Sequence, residues 1–297
     1  MGRHFGLKMT VKAYKILSKK VIKDVLNLER VCIDYDNIRG SVFLDSSLNF
    51  DHRIKSFFVL YKNGLLISIL SMFIPTKNEA EIIAYTLPKV RGKGYFKLLL
   101  TKAVEELRKF DIPDILFVCE SPSISGKKLI DVLEAKYEHT EYFMRFDKAS
   151  YTYINTYRLS LLMVMHKDIE KAIATYMEVF DDNYQESMSL IISCFESETR
   201  EQYLAVLNDE IIGICLTNLE GEDVSIFGLG LVREYRCKGY GKELLHLIID
   251  NLLQRGRTDI TIDVNSENAN ALGLYLKTGF HIEVAYEYYR KKVNEIR

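Results

Sequence analysis

Short apolar runs alternate along this chain with longer stretches in which apolar residues recur every three to four positions. Phe57 to Tyr61 and Leu65 to Leu70 are two such runs around Asn63-Gly64, and Tyr203 to Leu207 and Ile211 to Leu216 are two more around Asn208-Asp209. Both dipeptides are turn signals between apolar runs, so each pair predicts a β-hairpin. Helical spacing predicts helices over Asp168 to Val179, Tyr184 to Phe195 and Lys242 to Gln254. The last of these buries Leu244, Leu245, Ile248, Ile249 and Leu252. Strands are expected at Val224 to Val232, Ile260 to Val264 and through Phe280 to Arg290, with a further helix from about Asn268 to Lys277 closed by Gly279 at C′. Strands followed by a strand-loop-helix-strand unit predict an α/β fold of the α+β type.

The pattern occurs twice. Arg91-Gly92-Lys93-Gly94-Tyr95 and Arg236-Cys237-Lys238-Gly239-Tyr240 stand 145 residues apart, from 91 to 236, and the offset extends without a gap in both directions. Upstream, Asn63-Gly64 falls on Asn208-Asp209, and downstream, Asp114 falls on Asp259. Chance similarity would not extend this way, and a period of this length signals duplicated domains. Two tandem domains are therefore expected, over residues 1–149 and 150–297, joined near Lys148 to Thr152.

Composition agrees with the repeat and removes other classes. The 297 residues are about twice an ordinary domain. They are 48% hydrophobic and 27% charged, which disfavours disorder. Forty Lys plus Arg against 41 Asp plus Glu leave a formal charge of -1, which argues against a nucleic-acid or anionic-membrane partner. Apolar stretches such as Gly64 to Pro75 fall far short of the ~20 residues a spanning helix needs. The N-terminus shows neither a signal peptide nor the residue a myristoylation site wants. Five cysteines without C-x-x-C spacing point to reduced thiols and a cytoplasmic location, and the six scattered histidines point to no metal.

The glycine-bearing turn carries the chemistry. It lies between a strand and a helix N-terminus, where first-turn N–H groups lack intrahelical partners and point outward at the positive end of the helix dipole. Glycines let a phosphate approach that backbone, so Arg-x-x-Gly-x-Gly is a competent pyrophosphate cradle. It is not a Walker A loop, and Gly228-Leu229-Gly230 lacks the third glycine of a dinucleotide fingerprint.

Arg236-Cys237-Lys238-Gly239-Tyr240-Gly241 resembles the Arg/Gln-x-x-Gly-x-Gly/Ala signature of the GNAT N-acetyltransferases. Downstream, Asn268 to Phe280 is similar to the family's Asn-x-x-Ala-x-x-Leu-Tyr-x-Lys-x-Gly-Phe segment. The resemblance covers about residues 160 to 290 well and 10 to 147 more loosely. It implies two GNAT-like domains, each a mixed, mostly antiparallel sheet flanked by helices. It also implies transfer of an acetyl group from acetyl-CoA to an amine by direct attack in a ternary complex. On that resemblance, the backbone of Arg236, Cys237, Lys238, Gly239, Tyr240, Gly241 and Lys242 binds the pyrophosphate of acetyl-CoA. Asn268 bonds the CoA arm, Ala271 leaves room for it, and Tyr275 acts as general acid to the leaving thiolate. The end of the preceding strand, Leu231 and Val232 included, offers a backbone N–H to the thioester carbonyl. A small-molecule or peptide amine is the implied acceptor, with no nucleic acid, membrane or metal.

A general base is not legible. Glu222 and Asp223 are the nearest acids, but they stand at the start of the strand in a Glu-Gly-Glu-Asp turn. The first copy departs where the chemistry is strictest. Phe96 replaces Gly241, Ser123 replaces Asn268, and Tyr275 becomes Ile130 without a gap or Val132 when Tyr137 is set against Phe280. That copy is expected to keep the fold and to be weak or dead as a catalyst, while Arg91 to Gly94 leave CoA binding by it open. Two other functions compete with catalysis in the second copy. One is a non-catalytic CoA-sensing or partner-binding protein, which an intact loop beside Tyr275 disfavours. The other is aminoacyl transfer by paired GNAT-like domains, whose members lack a sound CoA loop.

Overall fold

The computed structural model describes residues 9–221 and 223–296. It divides into two compact units, one of residues up to Thr140 together with those from Tyr286 onward, the other of Glu141–Ala285. The unit boundaries thus fall inside strands rather than in the Lys148 to Thr152 connection. Backbone pairing explains this: residues 141–145 pair inside the second unit, and residues 286–292 pair inside the first.

The first unit runs β1 (Met9–Tyr14), α1 (Lys19–Asp36), β2 (Phe57–Lys62), β3 (Leu65–Phe73), β4 (Glu79–Thr86), α2 (Tyr95–Lys109), β5 (Asp114–Glu120) and α3 (Ile124–Leu133). Its strands lie in sequence order, antiparallel except for the parallel β4–β5 pair, and residues 286–292 pair antiparallel with β5. Alternate residues of β2 face opposite layers. Phe57 and Val59 pack with Val21, Val25, Leu28 and Cys32 of α1, while Phe58 and Leu60 pack with Leu99, Leu100, Val104 and Leu107 of α2. Helices on both faces explain why these strands read as continuous apolar runs.

The second unit takes residues 141–146 of β6 (Lys136–Phe146), then β7 (Ser160–Met163), α4 (Ile169–Phe180), α5 (Tyr184–Phe195), β8 (Arg200–Leu207), β9 (Glu210–Asn218), β10 (Val224–Leu231), α6 (Tyr240–Gln254), β11 (Ile260–Asn265) and α7 (Ala269–Lys277). It ends in the first residues of β12 (Phe280–Lys292), which is one unbroken strand. β7 to β10 are antiparallel neighbours, β10 and β11 are parallel, and β6 pairs antiparallel with β11.

The 145-residue offset holds in three dimensions. α2 and α6 begin at Tyr95 and Tyr240, and the hairpin irregularities fall at Leu60/Tyr61 and Ala205/Val206. Both hairpin turns use two residues with positive φ, Asn63 and Gly64 in one copy and Asn208 and Asp209 in the other. Among the described residues no helix is long and apolar enough to cross a membrane.

Candidate functional site

The second unit opens along the seam between β10 and β11. Their parallel pairing runs only from Val224↔Ile260 to Ile226↔Ile262, after which the strands part. Phe227 to Leu231 and Asp263 to Asn265 are left on the two sides of the opening. Against β9, β10 pairs Phe227 with Leu216 and next Gly230 with Ile214, so one extra residue bulges out between them. Gly228 takes φ +55 there, and a Cβ on it would lie 2.6 Å from Leu216 Cδ1 and 3.2 Å from Tyr176 Cε2. A Cβ on Gly230 would lie 2.3 Å from Val179 Cγ1. The two glycines of the failed dinucleotide motif therefore serve to bulge a strand under α4. A Gly-x-Gly inside a strand pattern is itself a signal for that.

β10 leads into the glycine loop. Cys237 and Gly239 have φ of 59 and 86, matching Gly92 and Gly94 at 74 and 78, so Cys237 holds a left-handed position that glycine fills in the first copy. Arg236 acts as a brace: its Nε donates to Leu231 O at 2.8 Å and its Nη2 to Val179 O at 2.7 Å. Glu243 N bonds Gly239 O at 3.3 Å, the first turn of α6, which leaves the N–H groups of Tyr240, Gly241 and Lys242 facing outward. A Cβ on Gly241 would reach 3.8 Å from both Leu231 Cδ1 and Leu274 Cδ2, so this position looks into the gap between α6 and α7. Leu231 and Val232 are buried, and Val232 N donates to Ile212 O at 2.9 Å. The Val232 amide is committed to the sheet, which moves any spare backbone donor of this strand upstream into the bulge.

Arg158 also serves the loop. Its guanidinium lies 4.2 Å from the centre of the Tyr240 ring, its Nε donates to Glu243 Oε1 at 2.6 Å, and its Nη2 lies 3.5 Å from Lys238 O. Nothing in the sequence marks it, because it belongs to no motif and comes 80 residues before the carbonyl it touches.

α7 closes the other side of the gap. Asn268 caps the helix by accepting from Ala271 N at 3.1 Å, and both residues face the surface at its first turn. Tyr275, one face further on, is buried. Its hydroxyl is held strongly protonated by burial first, then by Cys215 and Asp263, and it makes no hydrogen bond among the described residues.

Asp263 is the residue that sequence reading missed. It interrupts an apolar strand at the first step beyond the last β10–β11 rung, opposite Phe143 of β6. The residue is exposed, and desolvation by the protein around it, with Glu141 adding to it, raises its carboxyl to about 7. The available signal was one acid inside the run Ile260-Thr261-Ile262-Asp263-Val264. Asp223 stands at the opposite end of β10, next to the Val224 N to Asp259 O bond, and Glu222 lies outside the described residues.

The first unit keeps the loop, the parting strands and the helix cap, and lacks the bulge, the tyrosine and the acid. Ser123 caps α3 through Gly126 N at 3.2 Å as Asn268 caps α7, so the helices align without a gap. Ile130 takes the place of Tyr275 and is buried, while Val132 is 80% exposed. β3 and β4 pair regularly from Ser68↔Thr86 to Phe73↔Glu81, with no bulge. Ile83 and Tyr85 replace the two glycines, and Val118 replaces Asp263. The chain after α1 fills the opening. Glu120 accepts from Arg39 N and Gly40 N, Tyr85 donates its hydroxyl to Gly40 O at 2.7 Å, and Tyr286 accepts from Ser41 N at 3.3 Å. What remains is a cavity of about 90 Å³ bordered by Phe96, Phe117, Leu129 and Ile130.

A parallel strand pair that parts after three or four rungs and a glycine-bearing loop leading into a helix occur in both units, and the bulge occurs in the second alone. Residues 167–280, within the second unit, match the acetyltransferase (GNAT) family. The chain is 29% identical over 90 residues to the [ribosomal protein bS18]-alanine N-acetyltransferase of Escherichia coli K12, and equally to that of Shigella flexneri. That match covers 29% of this chain and spans 61% of the relatives' length. In structure it resembles a GCN5-related N-acetyltransferase from Sphaerobacter thermophilus, with a TM-score of 0.75, 16% identity and 96% of each chain covered. It also resembles a tandem GNAT protein from the clavulanic acid biosynthesis pathway, with a TM-score of 0.71, 12% identity, and 97% of this chain and 99% of that one covered. Both structural likenesses extend over both units.

Proposed function

We propose that the chain is an acetyl-CoA-dependent N-acetyltransferase whose chemistry resides in the second unit, with a small-molecule or peptide amine as acceptor. One observation supports this reading: the bulge and Asp263 stand on the two strands that part, the glycine loop and the helix of Tyr275 follow them, and the first unit has neither bulge, acid nor tyrosine at these places.

In this reading Arg236, Cys237, Lys238, Gly239, Tyr240, Gly241 and Lys242 hold the pyrophosphate, with Arg158 adding positive charge. The CoA arm passes between α6 and α7, by Gly241, Ala271 and Asn268. The acceptor amine attacks the thioester carbonyl, and Asp263 takes the proton the amine loses. A carboxyl near neutral is suited to that task, because it is largely ionised at physiological pH while binding a proton more tightly than an ordinary carboxylate. Backbone N–H groups of the bulge face the carbonyl oxygen and stabilise its developing charge. The C–S bond then breaks and the thiolate leaves.

Tyr275 assists the departure by hydrogen bonding. An ordinary tyrosine already holds its proton about 2 kcal/mol more tightly than a thiol. Burial widens that gap, so the hydroxyl stabilises the thiolate without giving up its proton. The test is thiol release from acetyl-CoA across a panel of amines, with Tyr275→Phe as control. Amine-dependent release that falls in the variant supports the reading. Tight CoA binding without release for any amine would favour a CoA sensor instead.

A further inference from the structure

We propose that the acceptor is a small diamine or polyamine, whose second ammonium group is held by Asp182, Tyr176 and Phe180 on the α4 side of the bulge. This rests on the acetyltransferase reading and concerns what the same opening accepts.

Tyr176 and Phe180 lie one helical turn apart on α4, with ring centroids 4.4 Å apart. Both press on the bulge from the side of α4: the site of a Gly228 Cβ is 3.2 Å from Tyr176, and that of a Gly230 Cβ is 3.4 Å from Phe180 Cζ. Phe180 is 39% exposed. Asp182 follows directly after α4. Its N–H donates to Met177 O at 3.2 Å, which seats it at the C-terminal end of α4 that carries this aromatic pair. Its own carboxyl is raised, first by burial and then by the like charge of Asp181. Neither aspartate makes a side-chain hydrogen bond or ion pair among the described residues.

A half-buried carboxylate at the edge of two aromatic rings is a poor site for an anion and a good one for an alkylammonium, which gains both charge pairing and cation–π attraction. The rest of the opening agrees in sign. Asp263 lies across the splay, with Glu141 near enough to raise its proton affinity. Arg158, Lys238 and Lys242 stand at the loop, and on the other side Arg145 of β6 is paired with Asp259 and Glu283 and Lys171 of α4 with Asp168. The opening is thus basic toward the phosphates and acidic toward the acceptor.

The first unit shows how such acids are neutralised when no cation is to be bound. Asp36, in the place of Asp181, is gripped by both terminal nitrogens of Arg91 at 2.7 and 2.6 Å. Arg236, in the place of Arg91, turns to the Val179 carbonyl instead. Asn37 stands in the place of Asp182.

The test compares α,ω-diaminoalkanes with monoaminoalkanes of equal length, by thiol release and by calorimetric binding to the CoA-saturated protein. The expected kcat/KM advantage of the best diamine is about tenfold or more, falling about tenfold in Asp182→Asn, as cation–π and carboxylate contacts of this exposure imply. Diamine binding should weaken in parallel while CoA affinity, which reports the fold, is retained. Equal use of mono- and diamines, or a diamine advantage that survives Asp182→Asn, would overturn the proposal. Binding separates it from the catalytic reading. Diamine binding lost in Asp182→Asn, with no turnover of any amine, would remove the chemistry and keep the ammonium site. Turnover of monoamines without diamine binding would do the reverse.

Discussion

Asp263 on β11 acts on Tyr275 on α7: after burial and Cys215, its charge is a further force holding the tyrosine hydroxyl protonated. The two residues stand twelve positions apart, one on β11 just beyond the last β10–β11 rung and one buried on α7. Their proton affinities are shifted upward together, which suits one to accept a proton and the other to keep its own.

Replacing Tyr275 by Phe should therefore lower kcat about 10- to 100-fold, the worth of one hydrogen bond to a charged leaving group. KM for acetyl-CoA should change little. Steady-state kinetics would check this, and an unchanged kcat would remove the role from Tyr275.

The pH profile should carry the mark of Asp263. A base works only when deprotonated, so kcat/KM should rise with pH through about 7 and fall away below it. Asp263→Asn should abolish most activity and that ascending limb together. Stability should move the other way. A carboxyl whose folded pKa is raised disfavours the folded state once pH exceeds the ordinary carboxylate range, and the penalty is complete above about 7. Asp263→Asn should then raise Tm at pH 8 and leave it nearly unchanged at pH 4, measured by calorimetry.

The bulge can be tested against a neutral glycine. Gly256 has φ +77 with nothing within 4 Å of a Cβ, so Gly256→Ala should cost only the left-handed backbone penalty, about 1 kcal/mol. Gly228→Ala adds contacts at 2.6 and 3.2 Å to the same penalty. It should lower stability further in urea unfolding and reduce kcat, whereas Gly256→Ala should leave kcat alone.

Acetyl-CoA should bind once per chain. Phe96 stands where Gly241 opens the gap between helices, and the chain around Gly40 is tied into the first unit's splay. Calorimetric titration should give one tight site. Two equal tight sites would show that the first unit binds as well as the second.

Arg158→Ala should raise KM for acetyl-CoA about two- to fivefold, the range for an exposed charge contact, with little change in kcat.

Much of this architecture was legible in the order of residues. The hairpins, the loop, its helix and the segment around Tyr275 are local patterns, written in turn dipeptides, apolar spacing and glycines. The duplication could be read because its offset extends through every element. Whether Ile130 or Val132 replaces Tyr275 could not be read, since two alignments were equally good on paper. The matched caps at Ser123 and Asn268 decide it.

By itself, then, the sequence determined that one α/β unit occurs twice and that the second copy carries the loop and the tyrosine, because those properties depend on neighbours within a few residues. Only the tertiary structure decided that β10 bulges under α4, that Arg158 reaches the loop and that Asp263 stands at the first step beyond the last β10–β11 rung. It also decided that residues 141–145 and 286–292 each pair in the other unit's sheet from the one the repeat assigns them. These depend on segments distant in the chain that are brought together by burial and strand pairing, and no local pattern encodes which distant partner a strand edge or a charge will meet.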